Sequence, residues 1–412
     1  MPDYLIAGHL KDFWGVDFYA VGDVDHQSRL VTPIVTGKGG GVTGIPLEWW
    51  QDIQTFLVDK DHIAVLGGND NDDYIHTGMH SKTHILEIPK DCGPKRMRRE
   101  APGLWTVYDP ENGTKLTIDF DLTRRKTDRP RSLAPELVDV KITDFCAYGC
   151  PFCYQGSTKQ GKHMQSSKWD LIEMLVSAQV FEIAIGGGEP TSHPEFLEIL
   201  KLCRDHQITP NFTTRNMGLF NSSDAKQIVE LMGGCAYSAD NALQIKAWGE
   251  TANRFYPHNE HLKRLKFVVH IVMGVQDDAM LMSMLKMAHH YDLSCTLLGY
   301  KTTGRGGDGP AYPYDHFLET VIEPLIAQSE CPQFSIDTAL AATHAAQLEA
   351  MNIPSCLYYV HEGVHSMYLD MVSRSYGISS YTEDLRSLRD LEEREALIRK
   401  TDILMSAWKD LS

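Results

Sequence analysis

From residue 137 onward, apolar β-like runs alternate with helical stretches in a steady rhythm. The strand candidates are "LVDVKIT" (137–143), "FEIAIGG" (181–187), "TPNFTTR" (209–215), "CAYSAD" (235–240), "LKFVVHIVM" (265–273) and "CTLLGYK" (295–301). Helical periodicity fills the gaps at 166–178, 195–206, 222–232, 242–250 and 277–291, and a further helix is expected over 314–328. Start signals stand where they should, with Ser222-Ser223-Asp224 before "AKQIVELM" and Asp277-Asp278 before "AMLMSMLKMAHH". No Pro–Gly hairpin joins neighbouring strands. Alternation of this kind requires parallel strands joined by right-handed crossovers. Six such units make an α/β architecture, either a partial barrel or an open parallel sheet. In both, ligands gather at the C-terminal ends of the strands.

The flanks read differently. Residues 1–134 carry short β-like runs, "DFYAVGDV", "HIAVLGG", "KTHILEI" and "TKLTIDFDL", separated by Gly- and Asp-rich turns, and form an N-terminal β-rich domain. Trp14, Trp49, Trp50 and Trp105 are its expected core. "KTDRPRSLAPE" (126–136) is read as the linker, the barrel as 135–312, and 313–412 as a C-terminal α+β extension. Within that extension "TALAATHAAQLEAM" is helical and "SMYLDMVS" is a strand. A long charged helix over "EDLRSLRDLEEREALIRKTDILMSAWK" aligns Leu385, Leu388, Leu391 and Leu397 for packing.

Composition removes several classes of function. The longest apolar runs fall far short of the roughly 18–20 residues of a membrane span, and "MPDYLIAGHLKDFW" has no basic start leading into an apolar core. Six of the nine cysteines (Cys92, Cys203, Cys235, Cys295, Cys331 and Cys356) stand singly, unlike a secreted disulfide framework. A reducing, cytoplasmic setting is expected. A net charge of −16 opposes nonspecific grip on nucleic acid. The exception is residues 95–131, where ten Lys or Arg (among them Arg124, Arg125 and Lys126) offer either a solvated face or a site for an acidic partner, nucleic acid included.

The other three cysteines crowd into "CAYGCPFC", as Cys146, Cys150 and Cys153, three residues past the end of the first barrel strand. Structural zinc takes four ligands, usually as two close pairs, and no second pair exists, although His163 offers a fourth ligand. A thioredoxin-like pair uses only "CPFC" and leaves Cys146 unexplained. An iron–sulfur cubane held by three thiolates leaves one iron open to a small molecule.

These residues resemble the radical S-adenosylmethionine superfamily, whose signature is three cysteines spaced by three and two residues, with an aromatic just before the last. Phe152 is that aromatic. The resemblance covers about 137–310 and implies a partial (β/α)6 barrel, one 4Fe-4S cluster on Cys146, Cys150 and Cys153, and S-adenosylmethionine (SAM). Further motifs arrive in the family's order. "GGGEP" (186–190) resembles its glycine–glycine–glutamate element, with Gly187 and Gly188 approaching the methionine amine and Glu189 ordering the turn. Asn216 in "TTRNMG" is the candidate near the ribose, and Ser238 in "SADNA" meets ribose or carboxylate. Asp240 is either a ligand or a turn cap. The apolar residues of "HIVMG" (270–274) are expected beside adenine. "YKTTGRGG" resembles the family's late Gly-Arg loop, and its Arg305 either meets substrate or a carboxylate or is simply an exposed loop arginine. "YQGSTKQGKHM" (154–164) reads as a cover over the cluster.

The resemblance implies reductive cleavage of SAM to a 5′-deoxyadenosyl radical that takes hydrogen from substrate. The electron comes from a flavodoxin- or ferredoxin-type donor. The expected substrate is a peptide or small amino-acid-like molecule, and the alternative is a nucleoside or nucleic-acid base. Residues 354–381 are similar to the SPASM-like extension of peptide-modifying members. Only Cys356 remains there, with Ser379 and Ser380 in place of another cysteine, so no auxiliary cluster is expected.

Overall fold

The computed structural model describes residues 7–10, 18–25, 30–37, 96–101, 104–111, 113, 115–119, 130–307, 320, 321, 323–350, 360–394 and 402–411. The chain divides into two compact units, Met1–Leu133 and Ala134–Ser412.

In the first unit, β1 (Ala7–Leu10), β2 (Phe18–Asp25), β3 (Leu30–Gly37), β4 (Arg96–Ala101), β5 (Leu104–Tyr108) and β6 (Lys115–Asp119) form an antiparallel sheet of order β3-β2-β1-β6-β5-β4. The runs expected at 17–24 and 114–122 fall in β2 and β6. Those at 62–68 and 82–88, with Trp14, Trp49 and Trp50, lie outside the described residues. So do Lys95, Arg124, Arg125, Lys126 and Arg129 of the basic stretch. Of its described members, Arg98 is buried and donates from Nε to Glu100 Oε1 at 2.9 Å. Burial also pulls the Arg96 guanidinium down to about 10.

The second unit is built on β7 (Leu137–Thr143), β8 (Glu182–Gly187), β9 (Thr209–Thr214), β10 (Cys235–Ser238), β11 (Phe267–Val272), β12 (Ser294–Leu298) and β13 (Phe334–Ile336). These seven strands are parallel and adjacent in chain order, with no reversal between them. That order separates a barrel from a doubly wound sheet. With every crossover right-handed and running the same way, all helices fall on one face and the sheet curls around the other. No pairing joins β13 back to β7, so the barrel is partial. Val138, Val140, Ile183, Ile185, Phe212, Phe267, Val269 and Ile271 form the buried face against the helices, and the alternate positions look into the curve.

The helices are α1 (Lys168–Ser177), α2 (Phe196–Asp205), α3 (Ala225–Leu231), α4 (Ala242–Phe255), α5 (Glu260–Lys266) and α6 (Asp278–His290). Caps fix several starts: Ser167 Oγ accepts from Trp169 N, Asn241 Oδ1 from Gln244 N, and Asp277 Oδ1 from Met280 N. α4 outruns its expected end at residue 250. Its Trp248 lies against Phe220, Tyr237 and Phe267, with ring centroids 4.9–5.4 Å apart, and donates from Nε1 to Val268 O. α5 has no counterpart in the sequence expectation. Asn259 caps it, so the strand expected from 265 starts at Phe267. Lys266 then donates to Val229 O and Met232 O at the end of α3.

The C-terminal part belongs to the same sheet. After α7 (Glu323–Ala327), α8 (Thr338–Thr343) and α9 (Ala345–Ala350), β14 (Ser366–Asp370) runs parallel to β7 on its outer edge. β15 (Ser375–Gly377) and β16 (Arg386–Ser387) continue antiparallel. The helix expected over 314–328 is described at 323–327. The long charged helix is two, α10 (Leu388–Arg394) and α11 (Ile403–Asp410), with Leu397 outside the described residues. Leu388 and Leu391 are buried, while Leu385 precedes the helix and stays 38% exposed.

Candidate active site

The cysteine loop leaves β7 at the C-terminal rim and is tied down on three sides. The segment 154–164 folds back on the loop's root: Asp144 N donates to Lys162 O, Cys146 N to Thr158 O, and Thr158 N to Asp144 O. Gly161 is required there, since a Cβ would sit 2.0 Å from Asp144 O. On the second side, the end of β8 clamps the same root, with Gly188 N donating to Thr143 O and Glu189 N to Phe145 O, both at 2.7 Å. A Cβ on Gly187 would lie 2.3 Å from Thr143 O, and one on Gly188 2.2 Å from Phe145 O. The bareness of both glycines is thus accounted for by neighbouring backbone. Within the triplet, Gly186 is the glycine whose Cβ would meet nothing within 4 Å.

Arg305 makes the third tie. Its N–H donates to Cys153 O, Nε to Cys150 O and Nη1 to Ser157 O, at 2.8–3.1 Å. The described bonds of Arg305 therefore hold the loop's carbonyls. Phe152 is half-buried between Cys150 and Cys153.

Glu189 is buried and spends its carboxylate on the protein. Oε1 accepts from Thr191 Oγ1 and Thr214 Oγ1 at 2.7 Å, and Oε2 from Arg215 N at 3.0 Å. Asn216 donates from Nδ2 to Thr191 Oγ1 at 3.1 Å, so the ends of β8 and β9 share one network. Ser238 ends β10, half-buried on the inner face. Asp240 does not cap α4, a task Asn241 performs; it pairs with Arg215. Of 270–274, Ile271 and Met273 are buried in the core, while His270 and Val272 occupy the inner positions of β11.

Arg215 is the rim residue that motif order did not single out. Its Nη1 lies 2.9 Å from Cys150 Sγ, Nη2 engages Asp240, and the guanidinium stands 5.9 Å from the Tyr148 ring centroid. A signal was present: an arginine at the C-terminal end of a barrel strand, directly before the candidate Asn216. Burial pushes the Cys146 thiol up, against the N–H groups of Tyr148 and Gly149. His163 bonds Thr143 Oγ1 at 2.8 Å and packs edge-on to His193. The described lone cysteines Cys203, Cys235 and Cys295 are buried and Cys331 is half-buried; none forms a disulfide, and Cys92 and Cys356 lie outside the described residues.

Below the rim, the inner face carries charge. Lys301 Nζ stands 4.7 Å from the ring centroids of both Tyr154 and Tyr381 and 3.9 Å from Asp337 Oδ2. Burial alone would lower its pKa, but Tyr154, Asp337, Asp139 and Glu362 reverse the direction and keep it an ammonium. Burial raises Asp139 and Glu362, the latter accepting from Tyr381 OH at 3.0 Å. His270 is pushed down to about 4 by burial, with Lys301 adding to the effect. Nearer the edge, Lys141 bridges Asp144 (2.5 Å) and Asp370 (3.1 Å), binding β7 to β14.

A singly wound parallel barrel with three thiols on the loop after its first strand defines the class. Residues 140–278 match the model of the Radical SAM superfamily. Among curated relatives, the chain is similar to mycofactocin maturase MftC of Mycolicibacterium smegmatis, 23% identical over 184 residues (42% of this chain, 47% of that protein). A shorter match, 31% identical over 74 residues, joins it to 7,8-dihydro-6-hydroxymethylpterin dimethyltransferase of Methanocaldococcus jannaschii (17% of this chain, 15% of that protein). The chain spans about half the length of the MftC proteins it matches. Among solved structures, Streptococcus suis SuiB bound to S-adenosylmethionine aligns with a TM-score of 0.46 at 15% identity (63% of this chain, 64% of that one).

The superfamily uses a 4Fe-4S cluster and SAM, and the residues present fit both. Three half-buried thiols outside any disulfide share one short loop, a guanidinium meets one sulfur, and open space stands beside Gly186.

Proposed function

We propose that this protein is a radical SAM enzyme that takes hydrogen from a peptide or small amino-acid-like substrate, producing a rearrangement, crosslink or oxidation. The observation that carries the reading is the loop of Cys146, Cys150 and Cys153, tied by β8 and Arg305 to the C-terminal rim of the parallel strands. Similarity to a protein named as a maturase favours the peptide-type substrate. When bound to this loop, the cluster and SAM supply one-electron cleavage of SAM and removal of a substrate hydrogen.

The chain's own residues prepare that chemistry. Cys146, Cys150 and Cys153 supply the thiolates, and Arg215 donates to Cys150 Sγ and steadies its charge. Gly186 leaves room for the methionine end, while Glu189 fixes the β8 turn through Thr191, Thr214 and Arg215. Asn216 and Ser238 present polar groups on the same rim for the ribose, and Val272 presents an apolar one for the adenine. The inward curve of the sheet keeps bulk water from the reacting centre. A flavodoxin- or ferredoxin-type protein supplies the electron. Modification of a nucleic-acid base is the less favoured reading, because Arg98 of the basic stretch is spent inside on Glu100.

Anaerobic reconstitution with iron and sulfide tests the proposal. A broad absorbance near ~400 nm, lost in Cys150→Ala, is expected, together with 5′-deoxyadenosine from SAM and dithionite. A reconstituted protein that holds iron but releases no 5′-deoxyadenosine overturns it.

A further inference from the structure

Charged groups gather on the inner face of the barrel around Lys301. Three carboxylates, Asp139, Asp337 and Glu362, surround one ammonium, Lys301. Two tyrosine faces bracket Lys301, and Asp337 lies at 3.9 Å, a charge contact longer than a hydrogen bond. Asp337 is committed, since its Oδ1 accepts from Gly299 N and Leu340 N at 2.8 Å. Glu362 has one oxygen on Tyr381 OH. Asp139 differs. It sits mid-strand on β7, pointing inward at the level of Tyr368 and Ala184, and its carboxylate makes no hydrogen bond among the described residues. It is enclosed by protein yet not fully occluded, as is His270 across the barrel. A buried carboxylate without donors is costly, so such groups are kept where something arrives to pair with them.

The place matters as much as the charge. Tyr154, one of the two rings on Lys301, directly follows Cys153, and Gln155 meets Tyr368 OH at 3.5 Å. The charged cluster therefore lies beside the cysteine loop. Among the described residues the carboxylates of this cluster outnumber its one cation, Lys301, which favours a cationic guest over an anionic one.

We infer that the barrel interior holds a subsite for a cationic group of the substrate, an alkylammonium or guanidinium on a flexible chain, received by Asp139 and Glu362. The inference rests on the proposed function and narrows its substrate to molecules bearing such a group. Lys301, held between Tyr154 and Tyr381, is a positioning residue that sets the wall of the subsite and keeps the two acceptors apart.

The test reads binding rather than turnover, so it separates from the activity assay above. Reconstituted enzyme with SAM and no reductant is titrated calorimetrically with n-butylguanidinium, n-pentanol and valerate. The guanidinium alone is expected to bind, with Kd about tenfold weaker in Asp139→Asn and in Glu362→Gln. An exposed control, Asp224→Asn, should leave Kd unchanged. Equal binding of n-pentanol would mean an apolar subsite, and binding of valerate would make Lys301 the receiving group; either result overturns the inference. So does absence of guanidinium binding to the wild type, a measurement that depends on no variant folding. Unchanged affinity in both carboxylate variants also overturns it. Iron content and 5′-deoxyadenosine release, measured on the same preparations, show independently whether the enzyme reading stands.

Discussion

Gly188→Ala separates two explanations of the glycine triplet. If the bare Cα at 188 serves only a ligand, adding a methyl group leaves the free protein intact and weakens SAM binding. The geometry says otherwise. The new Cβ would lie 2.2 Å from Phe145 O and 2.7 Å from Phe145 C, both backbone atoms that no rotamer change removes. Relief requires about 1 Å of separation between the β8 turn and the root of the cysteine loop, given ordinary contacts near 3.5 Å. That separation breaks the two 2.7 Å bonds, Gly188 N to Thr143 O and Glu189 N to Phe145 O. Two backbone bonds at about 1 kcal/mol each, plus overpacking of about 1–3 kcal/mol, give roughly 3–5 kcal/mol. For a unit of this size the fall in Tm is on the order of 10 °C. Gly186→Ala is the matched control, with nothing within 4 Å of the added carbon. It should keep the wild-type Tm and, if it faces SAM, lose affinity. Differential scanning fluorimetry on apo-protein, with iron content after reconstitution, reads both. A Gly188→Ala Tm within about 2 °C of wild type, or an equal loss in Gly186→Ala, refutes the packing argument.

Arg215→Met should keep its iron but shift the cluster's reduction potential negative, because Cys150 Sγ loses its donor; an unchanged potential in a spectroelectrochemical titration counts against that bond. His270, at about 4 folded against 6.5 unfolded, binds fewer protons in the native state between those values. Stability should therefore rise with pH across that window, by at most about 3 kcal/mol, and stay flat above it. Asp139 and Glu362, both raised, act in the opposite sense, so the difference between wild type and His270→Gln in urea melts isolates the histidine; parallel profiles would refute it. Trp248→Ala, which empties a site lined by Phe220, Tyr237 and Phe267, should cost about 3–5 kcal/mol in the same melts, and a loss under about 1 kcal/mol would show that α4 collapses to fill it.

The parallel core was readable because period-two strands and capped helices alternate over a long stretch. "LVDVKIT" coincides with β7, and the cysteine loop follows it as expected. Strand β13 was missed, being three residues long and with too few side chains to show a period. Helix α5 was hidden for another reason: its apolar residues run straight into the strand that follows. At the site, motif spacing found the cysteines but not Arg215, whose role depends on β9 lying beside β8. The inner charges were harder still. Asp139 and His270 look like polar interruptions of apolar strands, and only the register shows that they share one interior with Lys301 and Glu362. Nor does spacing show that Arg305 reaches Cys150 O and Ser157 O, since those contacts join segments about 150 residues apart.

The pairing of β14 with β7 has a consequence for how the protein is made. The strand that launches the cysteine loop gains its outer neighbour only when Ser366 is laid opposite Leu137, after the rest of the barrel has left the ribosome. Until then β7 is an open edge, a template for pairing with another chain. Closing so long a loop is slow, because its entropy must be spent before the ladder rewards it. Lys141 and Asp370 meet only at that last step, and Lys141 also holds Asp144 at the root of the loop. A chain stopped before residue 366 would therefore lack the Lys141–Asp370 tie beside the root of the cysteine loop.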